Sequence, residues 1–474
     1  MRGDGEKMWK RFRTGIKENR IFVAFLTLFT VTQLVIVLTA WRSPLVWDSA
    51  VYAGMGKRLL SGWKYGIWEV FRPLMLPVVL GVLWKAGMPL VGFPRAVALL
   101  ISVAGISAMY WMLKDLFDSK MALYSTAILM TSTLFFKFSH YVLTGAPSSF
   151  LVFAGAYYAQ KGRDISSGFL TSLGFLTRFP AAIAAPGISI FLFLRSLKNE
   201  VNLKSLKPPL AYSIAFFITT IPYFAFNKIV YGEAFRPLII GATIPAMNPE
   251  KYFYGVYYIL EVLKTQPLMI FMFAGLYVVF KERNWSYGAF FSSLLFTYGF
   301  FTLYSHKLPR FALLFLPLIS VFAGRGVVWV EKQEVVDGKF FRSALGILLV
   351  LMMLVSFSIS YSQSRWTNEY RVEFLNEVGE LEGVVAGNDP VAVLYGNFEF
   401  VPIRPENLEE TYSEVKNEAD YYAFNSCAWY CTPAIENCSR RLEDFKKMMQ
   451  RKYDKKFYSQ GYSCNYTMYR VNRK

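Results

Sequence analysis

Three groups of residues in this chain have the types and spacing for chemistry. The first is an acid, Asp48, in the stretch LVWDSAVYAGMGKRLLSGW (residues 45–63), with Tyr52 one helical turn further on. A carboxylate can accept a proton. It can also sit solvated in a loop or cap a helix, since WDSAVY reads as the start of one. The second group is YSHKLPRF, which holds His306, Lys307 and Arg310. Cations grouped in this way can hold a phosphate, an arginine in bidentate fashion, or anchor lipid headgroups beside a membrane helix. The third group is four cysteines, Cys427, Cys431, Cys438 and Cys464, all near the C-terminal end. Their spacing is irregular and no histidine lies near, so two disulfides on an oxidising side fit better than zinc. The spacing leaves the pairing open. Two glycosylation tripeptides, at Asn437 and Asn465, agree with that side.

The elements that must position these groups are membrane helices. Of 474 residues 54% are hydrophobic and 18% aromatic, and apolar runs of about 18 or more residues recur. Polar breaks give spans at about 21–41, 94–113, 121–138, 147–160, 166–180, 181–197, 208–227, 256–280, 285–304, 309–330 and 343–362. The first reads as a retained helix, because its apolar run is too long for a cleaved signal and no small-residue cleavage site follows. The piece 73–87, with two prolines, is too short to span and reads as a re-entrant or interfacial helix within the loop 42–93. Eleven spans, with seven Lys and Arg ahead of the first, put the N-terminus in the cytoplasm and the cysteines outside. A twelfth span would put the cysteines in a reducing compartment.

The net charge of +18 is uneven: residues 363–474 carry 15 Lys and Arg against 17 Asp and Glu, so the excess lies in the membrane part. There it sits in short loops, where it reports topology and contact with anionic lipid and not nucleic acid. The fold class is therefore mainly α, a polytopic membrane domain over residues 1–362, followed at 363–474 by a small extracytoplasmic α/β domain. That tail has helix-like EYRVEFLNEVGELEGV and strand-like DPVAVLYGN, ADYYAFNS and YSCNYTMYRV.

Four motifs in the membrane part resemble the GT-C superfamily of polytopic glycosyltransferases, which includes protein O-mannosyltransferases, aminoarabinose transferases and the catalytic subunit of oligosaccharyltransferase. WDSAVYAGMGKRLLSG resembles its first-loop pattern of an acid, a tyrosine and a later glycine. FRPLMLPVVLGVLWKAG resembles the proline-rich helix that follows. LGFLTRFPAAIAAP (173–186) resembles a stretch with an Arg-aromatic-Pro core. SHKLPRFALLFLPLISVFAGRG resembles the His-Lys-x-x-Arg-Phe signature of the dolichyl-phosphate-mannose-using branch. The four stand in the family's order.

The resemblance implies an outward-facing site that transfers a sugar, a hexose such as mannose, with inversion from a polyprenyl or dolichyl phosphate to a glycan, lipid or protein acceptor. Asp48 would be the base, with Tyr52 beside the sugar. His306, Lys307 and Arg310 would meet the departing phosphate, with Arg72, Arg178 and Arg236 as weaker candidates of the same kind. Interfacial anchoring is the competing reading for Arg72 and Arg236, and snorkelling for Arg178; His140 reads as a loop residue. Two departures bear on metals. Ser49 follows Asp48 where the family commonly has a second acid, and Gly145 stands where many members carry another. A divalent cation wants several oxygen ligands, so the expected reaction needs no metal or other cofactor. The competing functional reading is a lipid or glycolipid transporter with an extracytoplasmic cap, for which Glu261 and Arg178 would be the notable intramembrane charges.

Overall fold

The computed structural model describes residues 19–199, 203–247, 256–333, 337–365, 368–429, 431, 437–461 and 463–471. It divides into two compact units. The first comprises Met1–Leu38, Val97–Phe224 and Tyr252–Ser362. The second comprises Thr39–Ala96, Ala225–Lys251 and Gln363–Lys474.

The first unit is helical. Five helical segments, Arg20–Thr39, Phe93–Leu116, Phe179–Lys198, Lys204–Tyr231 and Gly338–Ser364, are long and apolar enough to cross a bilayer. Val31, Leu34 and Leu38 on the first, and Ile347, Leu351 and Val355 on the last, are large apolar side chains left exposed. Such faces call for lipid, and the chain is a multi-pass membrane protein. The other expected spans are helical but shorter or broken. Gly145–Gln160 has 16 residues and Asp164–Thr177 has 14, roughly 24 and 21 Å of rise against about 30 Å of hydrocarbon. Expected span 121–138 breaks at Ser132, between Ser119–Thr131 and Thr133–Phe138. Expected span 256–280 breaks at Gln266, because Pro267 lacks an N–H and turns the preceding residue extended. The Gln266 side chain repairs the break: its amide donates to Ile128 O at 2.9 Å and Thr131 Oγ1 at 2.6 Å. Helices Phe271–Lys281 and Leu316–Lys332 meet through Gly275 and Gly326, where a Cβ would strike the facing backbone.

The second unit joins the first loop to the tail. Helix Trp47–Leu60 packs on Met75–Lys85, whose 11 residues rise only about 16 Å. The tail holds a five-stranded sheet of β1 (Val384–Gly387), β2 (Glu399–Pro402), β3 (Tyr421–Asn425), β4 (Asp454–Gln460) and β5 (Asn465–Arg470). Their order is β2-β1-β3-β5-β4; β2, β1 and β3 run parallel, and β5 pairs antiparallel with β3 and β4. Tyr422, Phe424, Leu442, Phe445 and Met449 centre its core under the helix Cys438–Lys452. Disulfides Cys427–Cys464 and Cys431–Cys438 close it, settling the pairing.

Backbone and side-chain contacts fasten loop to tail. Gly66, at φ +95°, bridges to edge strand β2: its N–H donates to Phe398 O at 2.8 Å, and Phe400 N–H donates to Gly66 O at 2.9 Å. Arg58 pairs with Glu399 at 2.6 Å. Lys57, 2% exposed, donates to Val393 O at 2.7 Å and Gly396 O at 2.6 Å. Trp68 Nε1 ties the loop to the Ala225–Lys251 segment by donating to Tyr231 Oη at 2.7 Å.

Burial lowers the Lys57 amine to about 8. The neutral amine keeps two N–H donors for its two carbonyls. Between pH 8 and the unfolded value near 10.5 the unfolded chain binds the extra proton, so stability rises with pH in that window. Thermal unfolding of wild type and Lys57→Met in detergent should therefore diverge in favour of wild type as pH climbs from 8 to 10; a constant gap would reject it. The disulfides should differ as well. Cys427–Cys464 closes a separation of 37 residues and Cys431–Cys438 one of 7, so serine replacement of the first pair should cost about 4 kcal/mol and of the second about 2 kcal/mol. Equal losses in unfolding temperature would contradict that.

Candidate active site

Asp48 stands in the first turn of Trp47–Leu60, where a carboxylate suits the helix dipole. Val46 occupies the cap position, so Asp48 is not the cap. Its carboxylate takes a charge-assisted bond: Arg72 Nη2 donates to Asp48 Oδ1 at 2.8 Å. The same guanidinium lies 4.9 Å over the Tyr52 ring. The i, i+4 spacing thus gives both residues to one arginine.

Arg72 serves a second acid. Its Nε donates to Glu69 Oε2 at 2.5 Å, and the other Glu69 oxygen accepts from Arg404 of the tail. Pro73 helps set this geometry, because the residue before a proline leaves the helical region and WEVFRP closes as a turn. Arg72 N–H donates to Glu69 O at 3.4 Å across it. The Glu69 side chain is 3% exposed and that of Asp48 20%. A carboxylate buried as Glu69 is would cost several kcal/mol unpaired, and two arginines meet it. Burial by itself works against the charge on Arg72. Glu69 and Asp48 outweigh it, holding the guanidinium protonated well above its ordinary range. Of the two acids Asp48 is the more exposed.

The first unit holds a different cationic group. Arg178 follows the helix Asp164–Thr177, in extended backbone. Its guanidinium lies 5.1 Å over the ring of Phe311, part of the His306–Phe311 turn. A Cβ on Gly145 would stand 3.1 Å from Arg178 Nη1. The position where the resemblance leads one to seek an acid is thus a glycine with a guanidinium alongside. His306 sets its ring against Phe311 at 5.9 Å, and its Nδ1 is buried with no hydrogen-bond partner among the described residues. Lys307, 1% exposed, donates to Phe301 O at 2.6 Å and Thr302 O at 2.7 Å, the last carbonyls of Gly288–Leu303. Those bonds make it a helix-end ligand first. Arg310 is half-buried in the 3₁₀ turn Pro309–Leu314.

The other candidates separate from these groups. Arg236 is exposed at the start of Arg236–Met247, within 3.4 Å of Tyr231 O. Glu261 pairs loosely with Lys264 at 3.8 Å. His140 is 4% exposed, with Nδ1 at 2.8 Å from Gln33 Oε1, a buried partnership that a loop reading misses. Glu69 and Arg404 are the members of the charged chain that the sequence reading overlooks. Glu69 had a signal, an acid three residues before the arginine of FRP; Arg404 had none. Among the described residues no cluster of three or more His, Cys, Asp or Glu could hold a metal ion.

Residues 74–225 match the dolichyl-phosphate-mannose-protein mannosyltransferase family. No curated protein sequence matches the chain. Among solved structures it is similar to ArnT from Cupriavidus metallidurans bound to undecaprenyl phosphate, with a TM-score of 0.68 and 12% identity over 94% of this chain and 98% of that one. It is also similar to the Archaeoglobus fulgidus oligosaccharyltransferase tethered with an acceptor peptide, with a TM-score of 0.57 and 13% identity over 96% of this chain and 74% of that one. The same enzyme with an inhibitory peptide and a dolichol-phosphate gives a TM-score of 0.56 and 13% identity, over 95% and 74%.

Because Glu69 and Asp48 share Arg72, their energetics should be coupled. Arg72→Met should lower stability by on the order of 3 kcal/mol by leaving buried charge unpaired. Adding Glu69→Gln should recover part of that loss in thermal unfolding. Additive losses would show that the pair does not interact.

Proposed function

We propose that this chain, by fold a member of the GT-C superfamily of polytopic membrane glycosyltransferases, transfers a sugar from a polyprenyl or dolichyl phosphate to an acceptor hydroxyl outside the cell membrane. The observation that carries the reading is Asp48: a carboxylate oriented by Arg72, still partly exposed, beside Tyr52. In the reaction the acceptor oxygen attacks the sugar C1 and gives its proton to Asp48. The new C1–O bond forms as the C1–O bond to phosphate breaks, and the electron pair leaves with the phosphate. Attack opposite the leaving group inverts C1. The departing charge needs cations, and the resemblance, with their charge, nominates Arg178, His306, Lys307 and Arg310 for that role.

The fold similarity to a protein bound to undecaprenyl phosphate and to one with a dolichol-phosphate supports a lipid-phosphate donor. A hexose, with mannose first, is the sugar favoured by the match at residues 74–225. The two disulfides support a tail on the oxidising side and a cytoplasmic N-terminus, with eleven crossings between them. Nothing favours the transporter reading.

Release of labelled sugar from polyprenyl-phosphate mannose and glucose tests this, with purified wild type beside Asp48→Asn, each with and without EDTA. Wild type should turn over, the variant should fall by about 100-fold or more, and EDTA should change neither. Undiminished Asp48→Asn turnover would remove Asp48 from the mechanism. No release from either donor would overturn the reading.

A further inference from the structure

Of the charged side chains linked to Asp48 through Arg72, one comes from the tail. Arg404 lies just beyond β2 and is separated from Glu69 by 335 residues. Its side chain is 34% exposed where it meets a Glu69 side chain at 3%. The charges alternate without a gap: Asp48 with Arg72, Arg72 with Glu69, Glu69 with Arg404. Arg72 is divided between two carboxylates, and what Glu69 draws from it depends on how far Arg404 satisfies Glu69. The neighbouring cations on the Asp48 helix are committed elsewhere, Lys57 to the carbonyls of Val393 and Gly396 and Arg58 to Glu399. Tyr52 lies under the Arg72 guanidinium, and Arg236 is exposed.

We propose that Arg404 is a positioning residue that sets the basicity of Asp48 through Glu69 and Arg72. The proposal rests on the reading of Asp48 as base. With Arg404 in place, Glu69 is satisfied from the tail side and Arg72 remains available to Asp48. Without Arg404, Glu69 has only Arg72 among the described residues and draws it away, and the Arg72 bond to the Asp48 carboxylate weakens. Its protonated form then gains. Removing Glu69 does the reverse, because Arg72 turns wholly to Asp48 and a nearby negative charge disappears. The two neighbours should therefore move Asp48 in opposite directions, which a merely structural pair would not do.

The test reads Asp48 directly. Carbodiimide modifies the protonated carboxyl, and peptide mass spectrometry of the full-length protein in detergent follows its labelling at Asp48 against pH. Arg404→Gln should raise the labelling midpoint by about 0.5 pH or more, the scale of one removed charge at an effective dielectric of about 20. Glu69→Gln should lower it, and Arg404→Lys should return it toward wild type. In the transfer assay Arg404→Gln should lower kcat with the donor KM within about twofold of wild type, and its acid limb should move with the labelling midpoint. An unmoved midpoint in Arg404→Gln, or movement in the same direction in Glu69→Gln, overturns the proposal. Labelling shifts as expected in a protein without transfer activity would instead sink the transferase reading and leave the coupling standing.

Discussion

A carboxylate as buried as Glu69 cannot be left to itself. In a medium of low polarizability its charge needs partners at hydrogen-bond distance, or the surrounding structure loses several kcal/mol. That constraint brings Arg72 and Arg404 to one acid from two distant stretches of chain. It also explains how Asp48 is aimed. Arg72 is fixed from one side by Glu69 and offers Nη2 to Asp48 and its face to Tyr52. The more exposed acid is thus oriented through the arginine that pairs with the buried one.

The rest of the second unit serves to keep that turn in place. A backbone bridge at Gly66, a buried ammonium at Lys57 and an ion pair at Arg58 attach the first loop to the start of the sheet. Trp68 and Tyr231 attach it to the Ala225–Lys251 segment. None of these contacts is strong alone, since net hydrogen bonds contribute about 1 kcal/mol each. Their joint effect is to remove freedom from a loop that would otherwise be mobile, which is how a site on a loop attains the precision of one on a rigid element. In the first unit the cationic group follows a similar logic: Lys307 satisfies the end of one helix, and Phe311 gives Arg178 a ring to lie on.

What could be read from sequence follows the range of the interaction. Asp48 and Tyr52 are four residues apart in one helix, so their shared face was visible. Apolar runs announced a multi-pass protein, and the clustered cysteines announced disulfides, because both signals are compositional. The pairing of Cys427 with Cys464 was not visible, since only the sheet brings β3's end to β5's start. Span number is where composition says least: helices of 14 to 16 residues and breaks at Ser132 and Gln266 are set by neighbours and by proline geometry. The charge of Lys307 is legible in a string of letters, but the two carbonyls it binds are not. The ring on which Arg178 lies, Phe311, is far along the chain and leaves no local mark beside it. Arg404 carried no local mark at all.

The long separation between Glu69 and Arg404 has a consequence in time. A ribosome that adds about 5–20 residues per second needs on the order of tens of seconds to travel the 335 residues between them. Throughout that interval the acid, its arginine and the buried glutamate exist without their last counter-charge, while the intervening helices are being inserted. Edge strand β2, which receives Gly66, is also among the last pieces made. The loop that carries the reactive acid therefore cannot reach its final form during synthesis of the membrane part. It is completed from the far end of the chain, after the membrane helices have already emerged.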